Sequence, residues 1–274
     1  MKQLENKVAV ITGSTKGIGR AIAREFVREG AKVVITSSRR ENVEAALRDY
    51  PDGSVYGHVC DVSSYASVEA LVEAAVRRFG AIDSFINNAG ISDPFASVSD
   101  SDPDAWARVI DTNLKGTYNG SRAAVRYFLS TGRRGKIINM AGSGTDKGSN
   151  TPFISAYGST KAAIARFTFA MAEEYCKTDL SIMLLHPGLV RTEINHPERT
   201  TPELQKQLKT FNIILDIFAQ SPDLAAQYAV KMASSWSDGK TGLYLSALDG
   251  KRKKMMLLSY PFRKLLNRID RQIY

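Results

Sequence analysis

Tyr157 and Lys161 stand four residues apart in the run Ser155-Ala156-Tyr157-Gly158-Ser159-Thr160-Lys161. If that run begins a helix, the two side chains share one face. A tyrosine with its ordinary pKa of about 10 carries protons poorly at neutral pH. A neighbouring ammonium favours the phenolate, which makes the hydroxyl a usable proton donor and acceptor. The plainer reading of the same spacing is a surface helix pair. A second run, Thr12-Gly13-Ser14-Thr15-Lys16-Gly17-Ile18-Gly19, spaces its glycines as GxxxGxG. Glycines there let the backbone turn tightly and approach a pyrophosphate. A helix starting at Ile18 would aim free N–H groups and its positive dipole end at the phosphates. The alternative is a tight strand–helix turn with no ligand. Cys60 and Cys176 are the only cysteines, and neither lies in a CxxC or Cys/His cluster, so no metal site is expected.

These groups need a scaffold, and the pattern of the chain supplies one. Apolar strand-like runs alternate with amphipathic helical stretches. Strands are expected at Val8–Thr12, Lys32–Thr36, Val55–Cys60, Ser84–Asn87, Lys136–Met140, Leu180–Leu185 and Gly242–Ser246. Helices are expected at about Ile18–Glu29, Val43–Arg48, Ser67–Phe79, Asp104–Thr117, Ser121–Leu129, Ala156–Lys177 and from Pro222 to Ser234. Ser221-Pro222-Asp223 reads as an N-cap with proline at the first helical position. About seven parallel strands with helices on both faces make a single-domain, doubly wound α/β sheet of Rossmann type over residues 1–250.

The 274 residues are 43% apolar and 24% charged, ordinary for a globular protein with a substantial core. The polar start of the chain argues against a signal peptide, and no apolar run is long enough to span a membrane. Two cysteines without a framework suggest a reducing, cytoplasmic setting. The net charge is +9, but residues 251–274 hold eight basic side chains and one acid. The basic character therefore belongs to a C-terminal extension, and no nucleic-acid-binding body is implied.

The ordered motifs resemble those of the short-chain dehydrogenase/reductase family over residues 5 to about 249. They are the TGxxxGxG turn, Asp61-Val62, Asn87-Asn88-Ala89-Gly90, Asn113, Tyr157-Gly158-Ser159-Thr160-Lys161 and Pro187-Gly188. The resemblance implies a nicotinamide cofactor at the carboxyl ends of the strands. Gly13, Ser14, Thr15, Lys16, Gly17, Ile18 and Gly19 would hold its pyrophosphate. Asp61 and Val62 would flank the adenine, and Asn88, Ala89 and Gly90 would lie along the adenosine side. Pro187, Gly188, Val190 and Thr192 would approach the carboxamide. Tyr157 would carry the proton, Lys161 would also bind the nicotinamide ribose, and Asn113 would position a water in the relay. His186 is expected to pack.

Charge selects the form of cofactor. An NAD site places an acid at the end of the second strand, roughly 20 residues past the glycines. Here Thr36-Ser37-Ser38-Arg39-Arg40 stands in that place, with no acid from Ala31 to Arg40. Ser38 and Arg39, with Lys16 beside them, suit the 2′-phosphate of NADP, and NAD is the lesser choice.

One motif departs from the family. The usual serine place just past the fifth strand falls on Gly142, and Ser143 is one position later. Ser143 is assigned to hold the substrate oxygen, with a backbone group as the alternative. The resulting expectation is an NADP(H)-dependent oxidoreductase interconverting a carbonyl and a secondary alcohol. The alternatives are a non-catalytic nucleotide sensor and an epimerase or dehydratase on the same scaffold. The substrate pocket would form from Ile91–Val98, Gly144–Ile154 and Glu193–Gln220. In the last, Phe211, Ile213, Ile214, Leu215, Ile217 and Phe218 make either an apolar lid or a packed face. A small-molecule substrate and a homodimer or homotetramer are the implied partners.

The extension is expected to be helical from Pro261. Phe262, Leu265, Leu266, Ile269 and Ile273 would then form one apolar stripe, with Arg263, Lys264, Asn267, Arg268 and Arg271 on the other side. Docking on this subunit or a partner subunit is the expected use of the stripe. Peripheral contact with an anionic membrane is the alternative.

Overall fold

Runs such as Val8-Ala9-Val10-Ile11 have no polar alternation and must be covered on both faces, as in a parallel sheet. The computed structural model describes residues 2–50, 53–93, 95–192 and 202–274. Seven strands form one sheet: β1 (Val8–Ile11), β2 (Lys32–Ser37), β3 (Val55–Val59), β4 (Ser84–Asn87), β5 (Gly135–Met140), β6 (Leu180–His186) and β7 (Leu243–Ser246). All neighbours are parallel, in the order β3-β2-β1-β4-β5-β6-β7. The order reverses direction between β1 and β4. In such a sheet that point opens a crevice at the carboxyl ends.

Helices cover both faces. Ile22 and Phe26 of α1 (Gly17–Arg28), Ala46 of α2 (Arg40–Leu47) and Ala229 and Val230 of α8 (Pro222–Ala233) build one core layer. Leu71 of α3 (Tyr65–Phe79), Phe128 of α5 (Gly116–Thr131) and Met171 of α6 (Ser155–Glu174) build the other, against Phe85 and Ile137 of the sheet. Ser64 caps α3 by accepting from Ser67 N, and Ser221 caps α8 by accepting from Asp223 N at 3.2 Å.

Besides α7 (Pro202–Phe218), a helix where the sequence reading placed none, two elements differ from the sequence expectation. The helices expected over Asp104–Thr117 and Ser121–Leu129 are one continuous helical path. It runs through α4 (Pro103–Val109), a wide π-type turn at Ile110–Lys115, and α5. Gly120 reads as a break in sequence, yet it is small for packing: a Cβ there would lie 1.9 Å from Asn87 Oδ1 on β4.

The second difference is in the extension. Its helix, α9 (Gly250–Leu265), opens eleven residues before Pro261, which lies inside it. Asp249 caps it by accepting from Arg252 N at 2.8 Å. Proline removes only one helical hydrogen bond, and the good helix formers before it carry the helix across. Asn267, at φ 50, turns the chain out of the helix, so Ile269 and Ile273 leave the stripe. Residues 268–274 instead run along the segment that follows β6, where Tyr274 N donates to Arg191 O at 2.9 Å and the Tyr274 carbonyl lies 3.7 Å from where a Cβ on Gly17 would stand. Asp216 of α7 (Pro202–Phe218) takes both Arg191 and, at 3.1 Å, Arg271.

Candidate active site

The crevice between β1 and β4 is built by hydrogen bonds from the strand ends. Gly13 and Gly17 have φ of 60° and 58°, a region that favours glycine. Ser14 N donates to Thr36 O at 2.9 Å, and the Ser14 hydroxyl donates to Ile11 O at 2.6 Å. The Ser14 side chain is thus spent on joining β1 to β2, which leaves its place in the turn to the backbone. Thr12, absent from the sequence-based site, joins the two halves. Its hydroxyl accepts from both Asn88 N and Ala89 N at 3.0 Å. Asn88 Nδ2 donates to Thr12 O and Gly13 O at 3.0 and 2.9 Å. A threonine just before the first glycine was the available signal.

The same edge gathers the other cofactor candidates. Thr15 and Ile18 lie half-buried on the turn, Gly19 is buried, and Lys16 is exposed at the N-cap of α1, where no side chain caps the helix. Thr192 is buried, and its Cγ2 lies 3.5 Å from where a Cβ on Gly17 would stand. Pro187 and Val190 are buried, and Gly188 holds φ 81°. His186 Nδ1 accepts from Gly188 N at 3.1 Å, and burial pushes its pKa down, so it is a neutral packing residue. Asp61 is exposed and its carboxylate accepts from Ser63 N and Oγ, whereas Val62 is buried with its carbonyl accepting from Asn119 Nδ2 at 2.8 Å. Ser38 and Arg39 are exposed at the end of β2, and Arg39 forms no ion pair among the described residues. Arg40 pairs with Glu44 at 3.8 Å. Positive-φ glycines, an uncapped helix start and exposed cations at the β2 end fit a dinucleotide phosphate chain.

Asn113 lies in the wide turn between α4 and α5, fully buried. Its Oδ1 accepts from Ile91 N at 2.8 Å, and Nδ2 donates to Ile91 O at 2.9 Å and Thr160 Oγ1 at 3.2 Å. It ties the loop after β4, including Gly90, to α6. Tyr157 and Lys161 occupy the first turns of α6. Lys161 Nζ donates to Met140 O at 3.1 Å and lies 5.5 Å from the centre of the Tyr157 ring. Burial pushes Tyr157 up to about 12 and Lys161 down to about 8.

The turn after β5 explains the missing serine. Thr145 N donates to Gly142 O at 3.1 Å, and Gly144 has φ 102°. That is a turn of type II kind with Ser143 at its first corner. Ser143 is therefore exposed, with no described hydrogen bond to Tyr157. Gly142 faces the tyrosine instead: a Cβ there would lie 2.5 Å from the Tyr157 hydroxyl. Thr145, also missed from sequence, accepts from Gly142 N at 3.1 Å and donates to Lys161 O at 3.4 Å.

On the substrate side, Phe95 packs on Phe211 of α7 at 5.9 Å between ring centres. Asp93 is buried in the same loop, and its Oδ1 has no partner among the described residues. Leu215 is buried, whereas Ile213 and Ile214 face outward, so this stretch of α7 packs by one side. The part of the expected pocket at 193–201 lies outside the described residues.

The lowered pKa of Lys161 gives a stability test. An unfolded lysine keeps its proton to about 10.5, whereas in the fold Lys161 loses it near 8. Between those values the unfolded state binds more protons, so the fold gains stability as pH rises. Below pH 8 both states are charged, and the burial penalty is full, on the order of 3 kcal/mol. Lys161→Met should therefore melt higher than wild type at pH 7, with the gap closing by pH 10, while turnover is lost. A lower melting temperature for the variant at pH 7 would show that the ammonium is not penalised there.

Two α/β halves meeting at β1 and β4, with donors gathered at their carboxyl ends, define a Rossmann-type dinucleotide-binding protein. The chain belongs to the short-chain dehydrogenase family, whose model, described as short chain dehydrogenase, matches residues 7–203. Members of this family are oxidoreductases with a nicotinamide cofactor. Over 232 residues the chain is 37% identical to the chloroplastic chlorophyll(ide) b reductase NOL of Oryza sativa subsp. japonica, covering 81% of this chain. It spans 64% of the length of that relative. A 3-ketoacyl-(acyl-carrier-protein) reductase from Brucella melitensis, complexed with NADH, superposes with a TM-score of 0.77 at 31% identity. That match covers 91% of this chain and 99% of the other. A gluconate 5-dehydrogenase from Burkholderia cenocepacia J2315, in complex with NADP and tartrate, gives 0.78 at 29% identity, over 92% and 97%.

Proposed function

We propose that this protein is an NADP(H)-dependent oxidoreductase that interconverts a carbonyl and a secondary alcohol on a small molecule. The observation that carries the reading is the Tyr157–Lys161 pair on α6, facing Gly142 at the carboxyl edge of the sheet. The N–H groups of Gly13 to Gly19 and the start of α1 hold the pyrophosphate. Ser38, Arg39 and Lys16 take the 2′-phosphate. Asp61, Val62, Asn88, Ala89 and Gly90 line the adenosine side, and Pro187, Gly188, Val190 and Thr192 line the carboxamide. When bound, the nicotinamide supplies the two-electron partner for the substrate carbon.

Tyr157 gives a proton to the substrate oxygen in reduction and takes one back in oxidation. Its pKa of about 12 keeps the phenol protonated at neutral pH, the form that reduction of a carbonyl needs. Lys161 is mostly ammonium at pH 7, yet burial and not that charge sets the Tyr157 pKa, which is raised where the sequence reading expected the ammonium to favour the phenolate. Asn113 acts through position, by fixing the β4 loop to α6. The free thiols of Cys60 and Cys176 support a cytoplasmic setting. Exposed Trp106, Tyr118 and Leu129 along α4 and α5 support self-association.

The test is NADPH consumption against a panel of ketones and aldehydes, with NADH in parallel. Failure of every carbonyl, despite tight NADPH binding, would favour a nucleotide sensor. Ser143→Ala should cost only a few-fold in turnover, because the turn keeps that hydroxyl outside. Gly142→Ser restores the family's usual residue type, yet it should lower turnover more, because its Cβ displaces the Tyr157 hydroxyl. Faster turnover in Gly142→Ser would mean that Tyr157 works from another position.

A further inference from the structure

The face that α9 turns outward is apolar. Met255, Leu258, Phe262, Leu265 and Leu266 are 65%, 76%, 69%, 83% and 58% exposed. Their spacing of three, four, three and one residues puts them on one stripe of the helix. The face that α9 turns toward the protein is the more polar one. Arg252, Met256, Ser259, Tyr260 and Arg263 are its partly buried positions. The helix packs there on α7, and the Arg263 guanidinium donates to Ile217 O at 2.6 Å and Met256 O at 3.1 Å. The stripe is therefore not docked on its own subunit, which leaves the other docking place expected from sequence, a partner subunit, beside a membrane surface. Burial of five large apolar side chains is left over, and a surface helix alone gives no reason for it.

Charge decides between the occupants that remain. Lys251 and Lys254 flank the stripe, Lys253 and Lys264 are also exposed, and residues 251–274 carry eight basic side chains against one acid. In a symmetric pair of α9 helices each copy would bring this same excess to the contact, so like charges would oppose it. An anionic bilayer turns the same charges into attraction, while the stripe enters the boundary between headgroups and acyl chains. No helix among the described residues is long and apolar enough to cross a membrane, so the contact is with the surface.

We propose that α9 seats this protein on anionic lipid surfaces, with Leu258, Phe262 and Leu265 in the interface and Lys251 and Lys254 at the headgroups. The proposal goes beyond the enzymatic reading and does not depend on it.

The full chain would be sedimented with phosphatidylcholine vesicles, with and without about 30 mol% phosphatidylserine, at low and high salt. Its assembly size would be measured in parallel without lipid. The variants are Leu258→Glu with Leu265→Glu, and Lys251→Glu with Lys254→Glu. Leu258 and Leu265 are exposed, so the first pair should keep the wild-type melting temperature. Co-sedimentation with the serine-lipid vesicles, weakened by salt and lowered about a hundredfold by the leucine pair, is the expected result. The lysine pair should lower it by about tenfold or more. Three outcomes would overturn the proposal. One is no co-sedimentation of the full chain. Another is equal binding to neutral and anionic vesicles. The third is an assembly that the leucine pair splits without any vesicle binding, which would assign the stripe to a second copy.

Discussion

Tyr157→Phe should lose turnover by about a hundredfold to ten-thousandfold while keeping cofactor affinity and melting temperature close to wild type. Only the hydroxyl goes. In the structure that hydroxyl lies against Gly142, and its pKa is raised by burial alone, with no hydrogen bond contributing. Its removal therefore leaves no buried partner unsatisfied. The comparison needs two measurements on the same preparation: cofactor fluorescence on binding, and NADPH consumption with a competent carbonyl. Turnover near wild type would remove Tyr157 as the proton carrier. Loss of both binding and turnover would point to a structural defect instead.

Arg39→Asp should reverse cofactor preference. The wild-type guanidinium is exposed, stands at the N-cap of α2 and has no described ion-pair partner, so it is available to a 2′-phosphate. A charge-assisted hydrogen bond of this kind is worth about tenfold to a hundredfold in affinity. The aspartate adds repulsion toward the phosphate and an acceptor for ribose hydroxyls. It is also a favourable N-cap residue, so α2 should not suffer. NADPH binding should weaken and NADH binding improve. An unchanged preference would move the phosphate away from Arg39 toward Lys16 and Arg40.

The inner strands were legible because a parallel sheet buried on both faces needs apolar runs, and the edge strands β3 and β7, only partly buried, still fall within a residue of the expected bounds. Helix ends were legible where a cap or glycine marks them, as at Ser221 and Gly80. The path through α4 and α5 was not. Gly120 is small because β4 brings Asn87 against it, and a distant contact leaves no local mark. The start of α9 was missed for the converse reason: Pro261 looks like a helix start, but Asp249 had already capped one.

The sequence by itself determined the order of the motifs, the glycine turn, the shared face of Tyr157 and Lys161, and the location of the positive charge. All of these are properties of residue type and near spacing. Tertiary structure decided the rest. It spent the Ser14 hydroxyl between β1 and β2, recruited Thr12 to join the two halves, and set Ser143 on an outer corner with Gly142 facing the tyrosine. It also turned the apolar side of α9 away from the body. A periodic pattern gives the angle between side chains on one helix. Which angle faces the protein depends on the neighbour that packs against it, and no spacing within α9 contains that neighbour.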